Sequence, residues 1–135
     1  MTASSEARTL LRASNGRVNM KKGWYRWCPS TKSDQSDYLQ VDIGAVRNVC
    51  AVATQSRHSE HAKTYYLQIS VDGVNWNTYE ENKAKKVFQA STVLYSVVQQ
   101  KLSQVVKARF VRFFPITYNG WPCLAVEIYV LTHGS

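Results

Sequence analysis

Apolar and polar residues alternate along this chain in short blocks. In Tyr38-Leu39-Gln40-Val41-Asp42-Ile43, the residues Leu39, Val41 and Ile43 fall on one side and Gln40 and Asp42 on the other. That two-residue period is the mark of a half-buried strand. Blocks rich in Val, Ile, Tyr, Phe, Trp and Thr recur at residues 38–43, 48–55, 64–71, 76–79, 94–98, 108–116 and 124–131. Branched and aromatic side chains of this kind pack well on a pleated surface. Gly44, residues 56–61, Asp72-Gly73, residues 82–86 and Asn119-Gly120 separate the blocks. Asp72-Gly73 predicts a hairpin turn, because Gly tolerates the positive φ such turns need. Helical periodicity is confined to residues 6–13, which would make one short helix. Short strands with no helices between them predict an all-β antiparallel sandwich or barrel, not a βαβ fold. The first 37 residues hold the fewest strand signals and the most Lys, Arg, Ser and Asn. They read as long loops at one end of the sandwich, where binding residues tend to sit.

Composition narrows the class. A chain of 135 residues predicts a single domain over residues 1–135, since a second core would be too small to hold itself. Apolar residues make up 44%, enough for a packed core. Seventeen Lys and Arg against nine Asp and Glu leave a net charge of +8. Charged residues are only 19% of the chain, below the usual ~25%, so the basic balance reflects a shortage of acids. No apolar run approaches the ~18 residues of a membrane span. Met1-Thr2-Ala3-Ser4-Ser5 is followed by no apolar stretch of a signal peptide. The chain therefore reads as a piece of a larger protein, or as one begun at an added Met1. No GxSxG, HExxH or phosphate-binding loop is present, and His58, His61 and His133 make no convincing catalytic base, so no enzyme is expected. Nucleic-acid binding is the alternative from another class for a basic chain with interleaved aromatics, and no RNP, KH or zinc-finger pattern accompanies it.

Three cysteines, Cys28, Cys50 and Cys123, show no CxxC spacing, which argues against zinc. Cys50 lies inside Val49-Cys50-Ala51-Val52 and reads as a free, buried thiol acting as a small hydrophobe. Cys28 and Cys123 each sit beside a proline in loop-like surroundings. Composition alone leaves open whether they pair; a bond between them would persist only in an oxidising compartment.

The run Tyr38-Leu39-Gln40-Val41-Asp42-Ile43-Gly44 resembles the YLQVDLG signature of discoidin domains, also called coagulation factor V/VIII type C domains. Further pieces follow in family order. Thr2-Ala3-Ser4-Ser5 is similar to the opening TASS, and Gly16-Arg17-Val18-Asn19 with Trp27-Cys28-Pro29 resembles GRLN…WCP. Val52-Ala53-Thr54-Gln55-Ser56-Arg57 resembles V-x-T-Q-G-R, and Ile69 to Trp76 resembles the YSxDGxxW hairpin. Lys86-Val87-Phe88 fits the family's xxF, Ala108 to Pro115 resembles ARFVRxxP, and Cys123 to Tyr129 resembles CLRxExY. The resemblance implies an eight-stranded antiparallel jelly-roll β-sandwich of the galactose-binding-like type, with protruding loops at one end. It implies an extracellular or cell-surface binding or adhesion module without chemistry of its own, recognising a carbohydrate or an anionic phospholipid headgroup. Collagen or another matrix protein is the alternative partner. It also implies a Cys28–Cys123 disulfide. The sequence departs from the family in three places. It lacks a further cysteine pair joining the two ends, Ala125 stands for an Arg that would pair with Asp42 or Glu127, and Ser56 stands for a Gly.

Three loops, at residues 6–15, 20–37 and 56–64, are the candidate ligand contacts. The second carries Lys21, Lys22, Trp24, Tyr25 and Arg26 just before Trp27. Rings there would stack on sugar or enter a membrane interface while the cations meet phosphate, sulfate or carboxylate. Trp27 itself reads as packing beneath Cys28. The first loop offers Leu10 and Leu11 between Arg8 and Arg12, the spacing of a lipid-entering tip. It is shorter than the aromatic spike of phospholipid-binding members, which tilts the reading towards carbohydrate. In the third loop, Arg57 falls where collagen-binding members carry a functional Arg, and His58 and Lys63 accompany it. The Trp those members place after TASS is missing; Glu6 and Ala7 stand there. His58, Glu60 and His61 read as solvated, not as metal ligands. A calcium site would have to draw on Asp34, Asp37 and Asp42, whose spacing is not that of a calcium loop. No cofactor is expected. Arg109 and Arg112 lie on a predicted strand and are assigned to the scaffold.

Overall fold

The computed structural model describes residues 2–3, 27–30, 36–56, 60–94 and 96–131. Among these described residues nine strands run in chain order: β1 (Thr2–Ala3), β2 (Leu39–Gln55), β3 (His61–Ser70), β4 (Asn77–Thr78), β5 (Glu80–Glu81), β6 (Ala84–Lys85), β7 (Phe88–Gln89), β8 (Val97–Asn119) and β9 (Val126–Val130). All pair antiparallel. They form a jelly-roll sandwich made of one folded seven-stranded sheet and a separate β5–β6 hairpin. The helix considered for residues 6–13 lies outside the described residues.

Two long strands organise the sandwich. The blocks at 38–43 and 48–55 join into β2, and Val97 and Val98 of the block at 94–98 join the block at 108–116 in β8. Each strand then serves both layers. Leu39 to Asp42 pair with Phe113 to Phe110, whereas Ala51 to Gln55 pair with Lys101 to Val97. The crossing lies between Asp42 and Arg47, where the register shifts. Gly44 sits there with φ of 94°, a value that L side chains rarely adopt. The Asp42 carboxylate accepts the Gly44 N–H at 2.8 Å and fixes the bend. One layer is β1, the first half of β2, the second half of β8, β3 and the short β4 and β7; the other is β9, the second half of β2 and the first half of β8.

Between the layers lies one apolar cluster. It takes Leu39, Val49 and Val52 from β2, Tyr65 and Leu67 from β3, Leu102, Val111 and Phe113 from β8, and Val126 from β9. Tyr65 stacks on Phe88 at 5.3 Å. Its hydroxyl is buried and has no hydrogen-bond partner among the described residues, and burial pushes its phenol far above the ordinary range. An unpaired buried hydroxyl costs about 1–3 kcal/mol. Tyr65→Phe is therefore expected to leave the fold intact and to raise stability by up to about that amount. A urea titration at neutral pH checks it, and a loss of stability would show that the hydroxyl has a partner.

The outer face of the β2–β8–β3 layer gathers three of the sequence signatures. Arg112 places its guanidinium 4.2 Å from the Tyr38 ring and 3.7 Å from the Trp76 ring, and its Nε donates to Gln40 Oε1 at 2.9 Å. Tyr38 belongs to the YLQVDIG run, Trp76 to the DGVNW hairpin and Arg112 to the ARFVR run. Beside them Arg109 holds Asp42 with two hydrogen bonds, at 2.8 and 3.1 Å. Asp42 thus has a partner although Ala125 replaces the expected Arg; Ala125 is buried. The expected hairpin at Asp72-Gly73 forms, pairing Ile69 with Asn77. Asp72 accepts the N–H groups of Val74 and Asn75, each at 2.8 Å.

These bonds bear on acid stability. Arg109, through its hydrogen bonds first and then with the Gly44 N–H, holds the Asp42 carboxyl down at about 2. The Asn75 and Val74 N–H groups hold Asp72 well below the carboxylate range. A carboxyl depressed in the folded state contributes stability above its unfolded pKa and loses it as pH falls through the folded one. The urea midpoint is therefore expected to fall between about pH 4 and about pH 2. Asp42→Asn should lower the midpoint at neutral pH and flatten this dependence. A midpoint independent of pH over that interval would contradict the two assignments.

Candidate functional site

One end of the sandwich is tied together by the short segment Cys123-Leu124-Ala125. Cys28 is joined to Cys123 by a disulfide with the Cα atoms 4.2 Å apart. Trp27 and Leu124 exchange backbone hydrogen bonds of 3.1 and 2.9 Å. The Cys123 carbonyl accepts the Ala62 N–H at 2.8 Å, and the Ala125 carbonyl accepts the Gln55 N–H at 2.9 Å. Three separate stretches of chain are thus fastened to three consecutive residues. Trp121 packs on the disulfide and donates its indole N–H to the Pro29 carbonyl at 2.8 Å. Beneath this clamp Trp27 is 0% exposed and belongs to the core, as the sequence assigned it.

Ser56 and His61 both belong to the third candidate loop, whose end from His61 to Thr64 is not loop but the start of β3. The Ser56 hydroxyl lies 3.4 Å from His61 Nδ1, and both residues are buried. Ser56 is not among the positive-φ residues, so its replacement of a family glycine carries no backbone strain. Gly120 does need its lack of a side chain: its φ is 74°, and a Cβ there would meet Glu60 Cγ at 3.1 Å. Glu60 and the Asn119–Trp121 corner therefore approach closely at this end.

A further element at this end is not legible in the sequence: of the expected strand at 94–98, Val97 and Val98 enter β8, and the chain before them makes a tight turn. The Ser91 N–H donates to the buried Thr54 hydroxyl at 2.8 Å, Ser91 Oγ donates to the Val93 and Ser96 carbonyls, and the Ser96 N–H donates to the Val93 carbonyl at 2.9 Å. Leu94 bridges to Ser56. Held this way, Val93 and Leu94 are 67% and 54% exposed. The flanking serines were the available signal, because serine hydroxyls bond locally to backbone and favour turns.

Of the candidate ligand contacts, Lys63 is described. It is exposed on β3, and its carbonyl accepts the Ala90 N–H at 2.8 Å, beside the Ser91 turn. Arg8, Leu10, Leu11, Lys21, Lys22, Trp24, Tyr25, Arg26, Arg57 and His58 lie outside the described residues. Arg26 immediately precedes Trp27, and Arg57 immediately follows Ser56. Cys50 is free, but half-buried rather than buried. The register of β2 shifts between Val49 and Ala51, which breaks the inward–outward alternation at Cys50, and its Sγ lies 3.5 Å from the Tyr129 carbonyl. Asp37 is buried and Asp42 is held by Arg109; Asp34 is outside the described residues. Among the described residues no three His, Cys, Asp or Glu side chains gather as a metal site. No helix among them is long and apolar enough to cross a membrane.

Comparison with known proteins agrees with this geometry. Residues 1–128 match the F5/8 type C domain model. Human neuropilin-2 is 36% identical over 109 residues, a match that covers 76% of this chain and 12% of neuropilin-2. Discoidin II of Dictyostelium discoideum superposes with a TM-score of 0.83 at 24% identity, over 98% of this chain and 55% of that one. The family 32 CBM of C. perfringens NanJ, solved in complex with galactose, superposes with a TM-score of 0.68 at 18% identity, over 93% of this chain and 89% of that one. The chain spans only a small part of the length of neuropilin-2 and about half of discoidin II. A sandwich of this topology, closed at its loop end by Cys28 and Cys123 and matched over nearly its whole length, belongs to the F5/8 type C, or discoidin, domain family.

Proposed function

We propose that this domain is an extracellular, non-catalytic binding module that recognises a cell-surface carbohydrate at its loop end. The observation that carries the reading is the Cys123–Ala125 clamp. It fastens Trp27, Gln55 and Ala62 to one short segment, so the stretches of sequence carrying Lys21, Lys22, Trp24, Tyr25, Arg26, Arg57 and His58 start from one rigid base. Aromatic and basic residues on a fixed base suit a sugar ring, with the rings stacking and the polar groups fixing orientation. A disulfide that joins the base is stable in an oxidising extracellular setting. The galactose-bound neighbour shows that the same fold is used by a sugar-binding protein. A glycan array is expected to give binding that falls at least about tenfold in Trp24→Ala and in Arg57→Ala, as loss of a central aromatic or Arg contact commonly does. Binding unchanged in both variants would place the ligand elsewhere.

A second reading, an anionic phospholipid surface, is favoured by the exposed Val93 and Leu94, which follow closely on Ala90, whose N–H is bonded to the carbonyl of the exposed Lys63. Apolar side chains entering a bilayer with cations at the headgroups is the usual chemistry of such contacts. It predicts sedimentation with phosphatidylserine liposomes that weakens steeply with salt. Salt-independent sedimentation would count against it.

A further inference from the structure

We infer that the outer face of the β2–β8–β3 layer carries a second recognition site, centred on Arg112, for the carboxylate or sulfate group of an acidic sugar. The inference rests on the carbohydrate reading above and adds to it a site away from the loop end. Its basis is how the two neighbouring arginines are used. Arg109 is satisfied: Nε and Nη2 both meet the Asp42 carboxylate. Arg112 is not. Its faces are covered by Tyr38 and Trp76, at 4.2 and 3.7 Å, and its Nε edge is taken by the neutral Gln40. Among the described residues no carboxylate pairs with it. Two covered faces and one filled edge leave the terminal Nη edge of a planar cation, and that is the edge that grips an oxyanion in the plane of the guanidinium.

The surroundings fit a sugar better than an isolated ion. Gln40 and Gln68 lie opposite Arg112 on the two neighbouring strands. Gln40 uses its carbonyl on Arg112 and keeps its amide N–H groups for another acceptor. Gln68 reaches Thr78 only at 3.5 Å, a weak bond. Donors of this kind suit hydroxyl groups beside an anionic substituent. The stack also holds Arg112 in one conformation before any ligand arrives, which lowers the entropy lost on binding.

Both sites can be followed in one experiment, because indole N–H signals from Trp24 and Trp76 separate them. The protein, labelled with ¹⁵N, is titrated with a sulfated uronic-acid disaccharide, with its neutral counterpart, and with inorganic sulfate alone. A saturable shift of the Trp76 indole and Arg112 Nε–H signals with the acidic disaccharide, absent with the neutral one, supports the site. Arg112→Lys keeps the charge and loses the planar fork, and it should weaken this binding about tenfold or more. Lys107→Ala, an exposed cation on the same strand, should leave it unchanged. Should Arg112→Lys fail to fold, the wild-type titration still decides. Trp76 and Arg112 signals that stay fixed while Trp24 shifts overturn this site and leave the loop-end reading standing. Inorganic sulfate binding as tightly as the disaccharide overturns the sugar assignment. A shift at Trp76 with Trp24 fixed keeps this site and sinks the loop-end one.

Discussion

Replacing Cys28 and Cys123 together by serine is expected to cost about 4 kcal/mol of stability, within the ~2–5 kcal/mol seen on removing a native disulfide. The two cysteines are 95 positions apart, so the bond restrains most of the unfolded chain. Loop-closure entropy for about a hundred residues gives up to ~4.7 kcal/mol. Set against a total stability of ~5–15 kcal/mol for a domain, that is a large share. It corresponds to a fall in melting temperature of roughly 15 °C at this chain length. Thermal melts of the wild type with and without reductant, and of the double variant, measure it. The reduced wild type and the double variant should coincide; a shift under about 3 °C would show that the bond contributes little. Local effects are expected too. The bond is the covalent part of the loop-end clamp, and its loss should weaken ligand binding before it unfolds the sandwich.

Trp27→Ala is expected to cost about 3–5 kcal/mol, the range for emptying a buried Trp site. Trp27 is fully buried, belongs to the apolar cluster, and is bonded through its backbone to Leu124. The substitution leaves those backbone bonds possible and removes only the ring. Its effect should therefore appear as a lower urea midpoint and faster hydrogen exchange at Leu124 and Cys123. Trp24→Ala, three positions earlier in the chain, should reduce binding with little change in melting temperature. Equal destabilisation by both variants would assign Trp24 to the core and remove it from the ligand surface.

Much of the fold can be read in the chain without coordinates. Period-two alternation around Leu39, Val41 and Ile43 marks a strand because each successive side chain in extended backbone points to the other face. Asp72-Gly73 marks its hairpin because the Asp side chain bonds to the following N–H groups and Gly accepts positive φ. Other elements were hidden. The β5–β6 hairpin turns on Asn82 and Lys83, with φ of 56° and 65°. A turn with both central residues at positive φ usually announces itself by a glycine, and here there is none. The turn before β8 is hidden because Leu94 is as strand-like as Val97 and Val98, which do enter β8; its conformation is set by a hydroxyl on Thr54, 37 positions away.

Local chemistry, then, determines what each stretch of this sequence tends to do: strand, turn, or polar loop, and which family pattern the stretches spell out together. It also supplies the two cysteines flanked by proline, and the basic and aromatic residues that precede Trp27. What only the tertiary structure decides is pairing. Asp42 and Arg109 are 67 positions apart, and Arg112 and Gln40 are 72. Nothing in their local sequence says that one arginine will be neutralised and the other stacked between rings with an edge left open. The bend at Gly44 carries β2 from one layer to the other, and the bulge at Cys50 turns an expected core thiol into a half-buried one. Periodicity is a property of neighbours along the chain. Charge compensation, burial and register depend on which distant strands meet, and the packed core sets those meetings.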